Sequence, residues 1–225
     1  MSREFDLQLT HHSSKEERTM VKEGSAAITC MCGSCSITVS DGRPVQHFLC
    51  GCEDCRQALQ WCHLHGGIKP DAIPDLYYIP ADIVDYKGKE FLGAFKRRSS
   101  GKSTRLICKN CHSLIAVDHP YYNSNVLLFF PKHCVTNIDL SFPPTAYIMM
   151  NDYSKKIGPS PTKDIPLFSS FKYKQERDRF SDIKGFNFIN EPKNKLEGIT
   201  FTSFLEKIKP VTILDLPRGK QLLTD

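Results

Sequence analysis

Residues 30–35 read Cys-Met-Cys-Gly-Ser-Cys, and residues 50–55 read Cys-Gly-Cys-Glu-Asp-Cys. These two stretches hold six of the ten cysteines of the 225-residue chain. A third group, Cys108 and Cys111, lies far downstream, so only folding can bring it beside the first two. Cysteines grouped at such short spacings are typical of metal sites. The cysteine groups therefore predict that the chain binds metal ions.

The first and third groups together predict a closed metal site. Side chains two residues apart on a strand point to the same face, so Cys30 and Cys32 can bind one ion together. Cys108 and Cys111 have the C-x-x-C spacing of a zinc knuckle. Two such pairs supply four thiolates, the ligand set of a structural site.

The second group predicts an open metal site. Cys50, Cys52 and Cys55 form the pattern C-x-C-x-x-C. Three protein ligands leave the fourth position of a tetrahedral ion free for water or a substrate. A metal ion can act on a substrate when one of its coordination positions is open to that substrate.

Composition narrows the class of protein. The length suits one domain with an extension or two small ones, and the net charge of +5 is mildly basic. Ten cysteines would suit a secreted disulfide framework, but the first residues are polar and lack the apolar core of a signal peptide. The best apolar run, 126–130, is far shorter than the roughly 20 residues that cross a bilayer. We expect a soluble protein with reduced thiols, in the cytoplasm or the nucleus.

Short runs of β-branched and apolar residues, separated by Gly and Pro, predict a mainly β fold. The expected strands are 28–30, 35–39, 45–50, 61–64, 76–79, 90–95, 105–108, 114–117, 126–130 and 147–150. The turn signal Asp-Gly-Arg-Pro at 41–44 predicts that the second and third of these strands form a hairpin.

The chain divides into three segments on this interpretation. Residues 1–24 are a polar tail, residues 25–150 a zinc-binding domain, and residues 151–225 an extension without the pattern of an independent core. Apolar residues recur at helical spacing in the extension and predict one short amphipathic helix that docks onto the domain: Phe201, Phe204, Leu205 and Ile208.

The cysteine pattern resembles that of the glutathione-dependent formaldehyde-activating enzymes, a family that includes centromere protein V. The resemblance covers about 27–150 and rests on C-x-C-G, C-x-C-x-x-C-R and C-x-x-C in that order. It implies a complex all-β fold with two zinc ions per chain. Its structural zinc would be held by Cys30, Cys32, Cys108 and Cys111, and its catalytic zinc by Cys50, Cys52 and Cys55.

The same resemblance implies a carbon–sulfur lyase. Such an enzyme forms or cleaves the adduct of a thiol, such as glutathione, and formaldehyde. The chain departs from the family pattern at 57–61, where Gln-Ala-Leu-Gln-Trp replaces a small or Gly-containing turn near the open position. His112 stands where Gly is usual after the knuckle, which predicts a non-Gly residue at positive φ.

Four other side chains lie near the metal motifs in sequence. Cys35 is expected to pack in the core, with metal binding or redox chemistry as the alternative. His47, His63 and His65 flank the open set, and a structural role is expected for each of them. Substrate orientation or proton transfer is the alternative for these histidines.

Residues 87–109 carry eight basic side chains and one acidic side chain, a local charge of +7. A solvated hairpin is the expected interpretation. The alternatives are attraction of an anionic substrate and contact with the backbone of a nucleic acid.

Two functions stay open at this point. The first is a zinc enzyme whose partners are a small thiol and an aldehyde. The second is a binding module in which both zinc ions are structural and the basic run contacts nucleic acid or a chromatin partner. A fourth protein ligand at the second site, for example from His47 or Cys35, would favour the binding module.

Overall fold

A computed structural model of the chain describes residues 24–153, 160–183, 196–219 and 222–223. These described residues form two β-sheets, three α-helices and four short 3-10 turns, so the prediction of a mainly β fold is confirmed. The N-terminal tail predicted for 1–24 lies outside the described residues, apart from Gly24.

The smaller sheet has five antiparallel strands among the described residues. They are β1 (Ala26–Thr29), β2 (Ser36–Val39), β5 (Asp82–Lys87), β10 (Val135–Thr136) and β12 (Ile199–Thr200). Their order in the sheet is β10-β1-β2-β5-β12. In β1 and β2 buried residues such as Ile28 and Ile37 alternate with half-buried ones, as expected for strands with one face on a core.

The larger sheet has eight strands among the described residues. They are β3 (Gln46–Cys50), β4 (Asp75–Pro80), β6 (Leu92–Lys96), β7 (Thr104–Cys108), β8 (Leu114–Asp118), β9 (Val126–Phe129), β11 (Ala146–Ile148) and β13 (Val211–Ile213). Their order is β11-β3-β4-β9-β8-β7-β6-β13, with both edge strands parallel to their neighbours.

The larger sheet separates two apolar cores. In β4, Tyr77 and Ile79 pack in the core shared with the smaller sheet, whereas Leu76 and Tyr78 pack in the opposite core. That second core is completed by helix α1 (Glu53–Leu64) and by Phe180 of helix α2 (Lys174–Ser181). The central strands are therefore buried on both faces, which explains why they read as continuous apolar runs.

The predicted hairpin between 35–39 and 45–50 is wrong. β2 pairs with β1 and β5, whereas β3 pairs with β4 and β11 in the other sheet. The intervening turn carries the chain from one sheet to the other. Gly42 packs against β1, where an added Cβ would lie 2.3 Å from the Cβ of Ala26, so this Gly serves a close approach between segments.

The strand predicted at 61–64 is also wrong, because these residues belong to α1. The helix buries Ala58, Leu59 and Cys62, which lie on one face at helical spacing. It also buries polar side chains, among them Gln57 and Gln60, and this mixture obscures the apolar period in the sequence.

The residues after 151 add to both sheets. β12 pairs with β5, and β13 pairs with β6. The predicted C-terminal helix is confirmed as α3 (Phe201–Glu206), whose apolar side chains are buried in the core beneath the smaller sheet. The structure also contains α2, which the sequence did not predict. No helix of the described residues has the length and apolar character needed to span a membrane.

Substitution of Phe204 by Ala tests the contribution of α3 to the core. Phe204 is fully buried, so we expect Phe204→Ala to lower the free energy of unfolding by about 3–5 kcal/mol in urea titrations. Tyr173→Ala is the matched control, because Tyr173 is 66% exposed and its loss should cost less than about 0.5 kcal/mol. Equal stability of the two variants would contradict the placement of α3 in the core.

Candidate metal centres

The first thiol group joins the two sheets. Cys30 and Cys32 lie in the turn after β1, while Cys108 ends β7 and Cys111 lies in the following turn. All four Sγ atoms lie within 4.8 Å of one another. The structure thus brings together the four cysteines that the sequence predicted for a closed site.

The sulfur spacing of this group fits a tetrahedral ion. Zinc with bonds of about 2.3 Å to sulfur separates its ligand atoms by about 3.8 Å. The Sγ of Cys32 lies 3.8 Å from the Sγ of Cys108 and 3.5 Å from that of Cys30. Four thiols at these distances can close around one thiophilic metal ion.

Hydrogen bonds hold the two turns in this arrangement. The backbone N–H of Met31 donates to Ser113 Oγ at 2.9 Å, and Asn110 Nδ2 donates to Ser34 Oγ at 3.2 Å, so each turn contacts the other. His112 has φ of 51°, which confirms the predicted positive φ. The strain that this costs a non-Gly residue is offset by the hydrogen bond from its N–H to the Cys108 carbonyl at 2.9 Å.

Cys35 belongs to the core beside this group. Its side chain is buried, and its N–H donates to Cys30 Sγ at 3.3 Å. Burial raises the pKa of the Cys35 thiol, and the neighbouring thiols of Cys108 and Cys30 raise it further, so this thiol stays protonated. Cys35 is not part of the four-thiol group, which agrees with the expectation of core packing.

The second thiol group forms at the N-terminus of α1. Cys50 ends β3, Cys52 caps the helix, and Cys55 lies in its first turn. The three Sγ atoms lie within 4.8 Å of one another. The local chain geometry alone therefore collects the three predicted ligands of the open site.

Backbone donors and the helix dipole favour thiolates here. The N–H of Cys52 donates to Cys50 Sγ at 3.4 Å, and the N–H of Cys55 donates to Cys52 Sγ at 3.2 Å. Hydrogen bonds from the Cys50 and Cys55 thiols hold the pKa of Cys52 well below its usual range, and the Arg105 guanidinium lowers this pKa further. The N-terminus of a helix also stabilises negative charge.

Among the described residues, no fourth His, Cys, Asp or Glu ligand atom joins this trio. Each of the three nearby histidines has a ring nitrogen within hydrogen-bond distance of a backbone carbonyl: His47 Nδ1 at 2.8 Å from Phe142 O, His63 Nδ1 at 2.9 Å from Gly67 O, and His65 Nδ1 at 2.7 Å from Trp61 O. His47 also contacts Asp75, with 3.1 Å between Nε2 and Oδ1. The structure therefore brings together the three cysteines that the sequence predicted, and the open coordination position stays a prediction.

The prediction of a solvated basic run is wrong for its arginines. Arg97 and Arg105 are buried, and Arg97 forms ion pairs with Glu53 and Asp54 at the start of α1. Arg98 donates to Glu53 Oε1 at 2.7 Å. The arginines of the run therefore fix the helix that carries two of the three thiols.

The C-terminal segment crosses the same helix. Arg98 donates to the Leu216 carbonyl at 2.6 Å, and Gln57 Nε2 donates to the Pro217 carbonyl at 2.7 Å. The Gly219 N–H donates to Glu53 Oε2 at 2.7 Å. Residues 57–61 thus belong to α1, and residues 217–219 form hydrogen bonds with side chains of this helix.

Sequence reasoning missed three side chains near the second group. Tyr78 and Tyr122 pack in the same core as the three thiols, and Arg105 is buried beside them. One signal was available for Arg105, which directly precedes the apolar pair Leu106-Ile107 in β7, a strand that is buried from Arg105 onward.

A comparison with models of known protein families found no match, and a search of curated proteins found none either. The resemblance of the cysteine pattern therefore remains a hypothesis about family. The described structure itself is mainly β and carries two cysteine groups that could hold metal ions.

Metal content tests the two groups directly. We expect two metal ions per chain in protein prepared under reducing conditions, measured by elemental analysis. Cys55→Ser should retain one ion, because only the trio loses a ligand. Cys134→Ser is the control, since Cys134 is a buried cysteine outside both groups and should leave both ions bound. A single ion in the unaltered protein would refute the two-site assignment.

The two centres should differ in their effect on stability. A closed four-thiolate metal contributes directly to folding free energy, and a metal at this site would also tie the two sheets together. We expect Cys111→Ser to lower the free energy of unfolding by about 3 kcal/mol or more, and Cys55→Ser to lower it much less. Thermal unfolding followed by circular dichroism compares them. Equal losses of melting temperature would contradict the division of roles.

Proposed function

We propose that this protein is a zinc-dependent carbon–sulfur lyase that forms and cleaves the adduct of a small thiol and formaldehyde. The observation that carries the proposal is the trio of buried Cys50, buried Cys52 and half-buried Cys55, which has no fourth His, Cys, Asp or Glu ligand among the described residues. Its place at the start of a helix favours negative charge on sulfur.

Zinc is the metal that best suits both groups. Four thiols at tetrahedral spacing form a closed zinc site, and three thiols with an open position form a zinc site that can take a substrate. Zinc held by Cys50, Cys52 and Cys55 would lower the pKa of an incoming thiol and so supply a thiolate nucleophile at neutral pH.

The proposed reaction is an addition that balances without an oxidant or reductant. The thiolate sulfur forms a bond to the carbonyl carbon of formaldehyde, and the π electron pair moves onto the oxygen. The thiol proton leaves to solvent, and the new alkoxide takes a proton from solvent. The reverse steps release thiol and aldehyde.

The residues of the chain have defined tasks in this proposal. The N–H groups of Cys52 and Cys55 hold thiol sulfurs in place, and burial of Cys50 and Cys52 shields these two sulfurs from bulk water. Arg105 and Arg97 bring positive charge to a group that would otherwise be strongly negative.

The alternative of a nucleic-acid or chromatin binding module has less support. A fourth ligand at the second group would favour it, but His47 contacts the Phe142 carbonyl, and Cys35 packs in the other core. Three of the eight basic side chains of its basic run, Arg97, Arg98 and Arg105, are engaged at α1, which leaves only the lysines for contact with a partner.

Exchange between free and thiol-bound formaldehyde tests the proposed function. Exchange spectroscopy by nuclear magnetic resonance at fixed glutathione should show an exchange rate at least about tenfold above buffer for the unaltered protein. Cys52→Ser should return the rate to that of buffer, because this change removes the middle ligand of the trio.

Cys134→Ser is the matched control and should exchange as fast as the unaltered protein. An unaltered protein no faster than buffer, with glutathione and with other small thiols, would refute the lyase. In that case duplex DNA binding that weakens steeply with salt would support the binding module.

A further inference from the structure

Two tyrosine hydroxyls meet beside the three-thiol group. Tyr78 lies on β4, and Tyr122 ends the 3-10 turn Pro120–Tyr122. Their rings pack edge to face with centroids 5.4 Å apart, and the Tyr122 hydroxyl donates to the Tyr78 hydroxyl at 3.5 Å. Both rings belong to the core cluster that contains Cys50, Cys52 and Cys55.

Both phenols can donate a hydrogen bond at neutral pH. The ordinary pKa of a tyrosine hydroxyl is about 10, so each hydroxyl carries its proton. Both rings pack with the three thiols in one core, so the two donors lie in the surroundings of the trio.

Arg105 stands on the same side of the thiol group. Its Nη2 donates to the Asp54 carbonyl at 3.3 Å, in the helical turn between Cys52 and Cys55. Its guanidinium lies 5.8 Å from the Phe95 ring centroid. Burial lowers the pKa of Arg105, and attraction to Cys55, Cys52 and Tyr122 partly restores it. The hydrogen bond to Asp54 places the cation beside the turn that carries the thiols.

One wall of the trio therefore combines a cation with a hydroxyl donor whose present contact is weak. The 3.5 Å distance between the two tyrosine oxygens exceeds the usual 2.7–2.8 Å of an O–H···O hydrogen bond. A substrate oxygen that accepted from Tyr122 at ordinary distance would replace this contact with a better one.

We propose that Tyr122, supported by Tyr78 and Arg105, forms the subsite that receives the aldehyde oxygen of the substrate. This inference rests on the proposed lyase function and adds to it the position of the oxygen. When sulfur adds to the carbonyl carbon, negative charge grows on that oxygen, which then takes a proton from solvent. A hydroxyl donor and a buried cation stabilise this charge most when it is largest, which lowers the barrier.

The subsite also selects the substrate class. A small aldehyde, or the hydroxymethyl group of its thiol adduct, offers an oxygen one carbon away from the bound sulfur. A simple alkyl thiol lacks that oxygen and leaves the donor of Tyr122 without this partner. The site should therefore discriminate between thiols that carry a hydroxyl close to sulfur and thiols that carry none.

Tyr122→Phe tests the subsite, because it removes one oxygen and keeps the ring. Tyr121→Phe is the matched control: Tyr121 lies in the same turn and is 74% exposed. The first measurement does not depend on activity. Calorimetry on the zinc-loaded protein compares binding of 2-mercaptoethanol, which has a hydroxyl near sulfur, with binding of ethanethiol, which has none.

We expect the ratio of the two affinities to fall about threefold to tenfold in Tyr122→Phe and to stay unchanged in Tyr121→Phe. Taking the ratio within each protein cancels the intrinsic difference between the two thiols. The second measurement is the exchange rate with glutathione and formaldehyde, which should fall about 10- to 100-fold in Tyr122→Phe at unchanged zinc content.

The outcomes separate this inference from the proposed function. An unaltered protein that does not accelerate exchange overturns both. An active protein whose Tyr122→Phe variant matches it in affinity ratio and in rate overturns the subsite alone. If Tyr122→Phe does not retain two zinc ions, Tyr78→Phe takes its place in both measurements, and equality with the unaltered protein there overturns the subsite.

Discussion

Four sulfur atoms bring together two turns, one from each sheet, and a metal ion held by them would fix the placement of the two sheets. One turn follows β1 in the smaller sheet, and the other follows β7 in the larger sheet. Strands β1 and β2 have only four residues each, so they bury little apolar surface of their own. A metal held by both turns would supply the stability that so thin a layer lacks, and the hydrogen bonds between the turns already set its geometry.

The second centre is built in a different way. Its three thiols come from six consecutive residues, where a strand ends and a helix begins, so the chain forms this group locally. The side chains packed around these thiols come from segments that are distant in sequence: β4, β7 and the 3-10 turn before β9. This division suits a site whose metal ligands are fixed by short-range geometry and whose selectivity is set by the packing of the larger sheet.

Features that depend on the spacing of neighbouring residues could be predicted from the sequence. The ligand groups and strands such as 114–117 follow from local patterns, and the structure has them. Helix α1 could not be recognised, because Gln57 and Gln60 are buried polar residues that hide its apolar face. Residues 41–44 correctly indicate a turn, but they do not indicate which sheet the following strand joins. The charge of Arg105 predicts an exposed side chain, because burial of a cation is destabilising unless a negative group lies nearby. The thiols beside it are such a group, and their position is known only from the fold.

The pairing of β13 with β6 has a consequence for synthesis of the chain. β6 can pair with β7 as soon as residue 108 has left the ribosome, but its other edge stays open until residues 211–213 follow. β1 likewise waits for β10, more than a hundred residues later. Exposed strand edges attract other chains, and contacts so distant in sequence form slowly. The nascent protein therefore carries such unpaired edges through much of its translation, and they are places where an unfinished chain can associate with another chain.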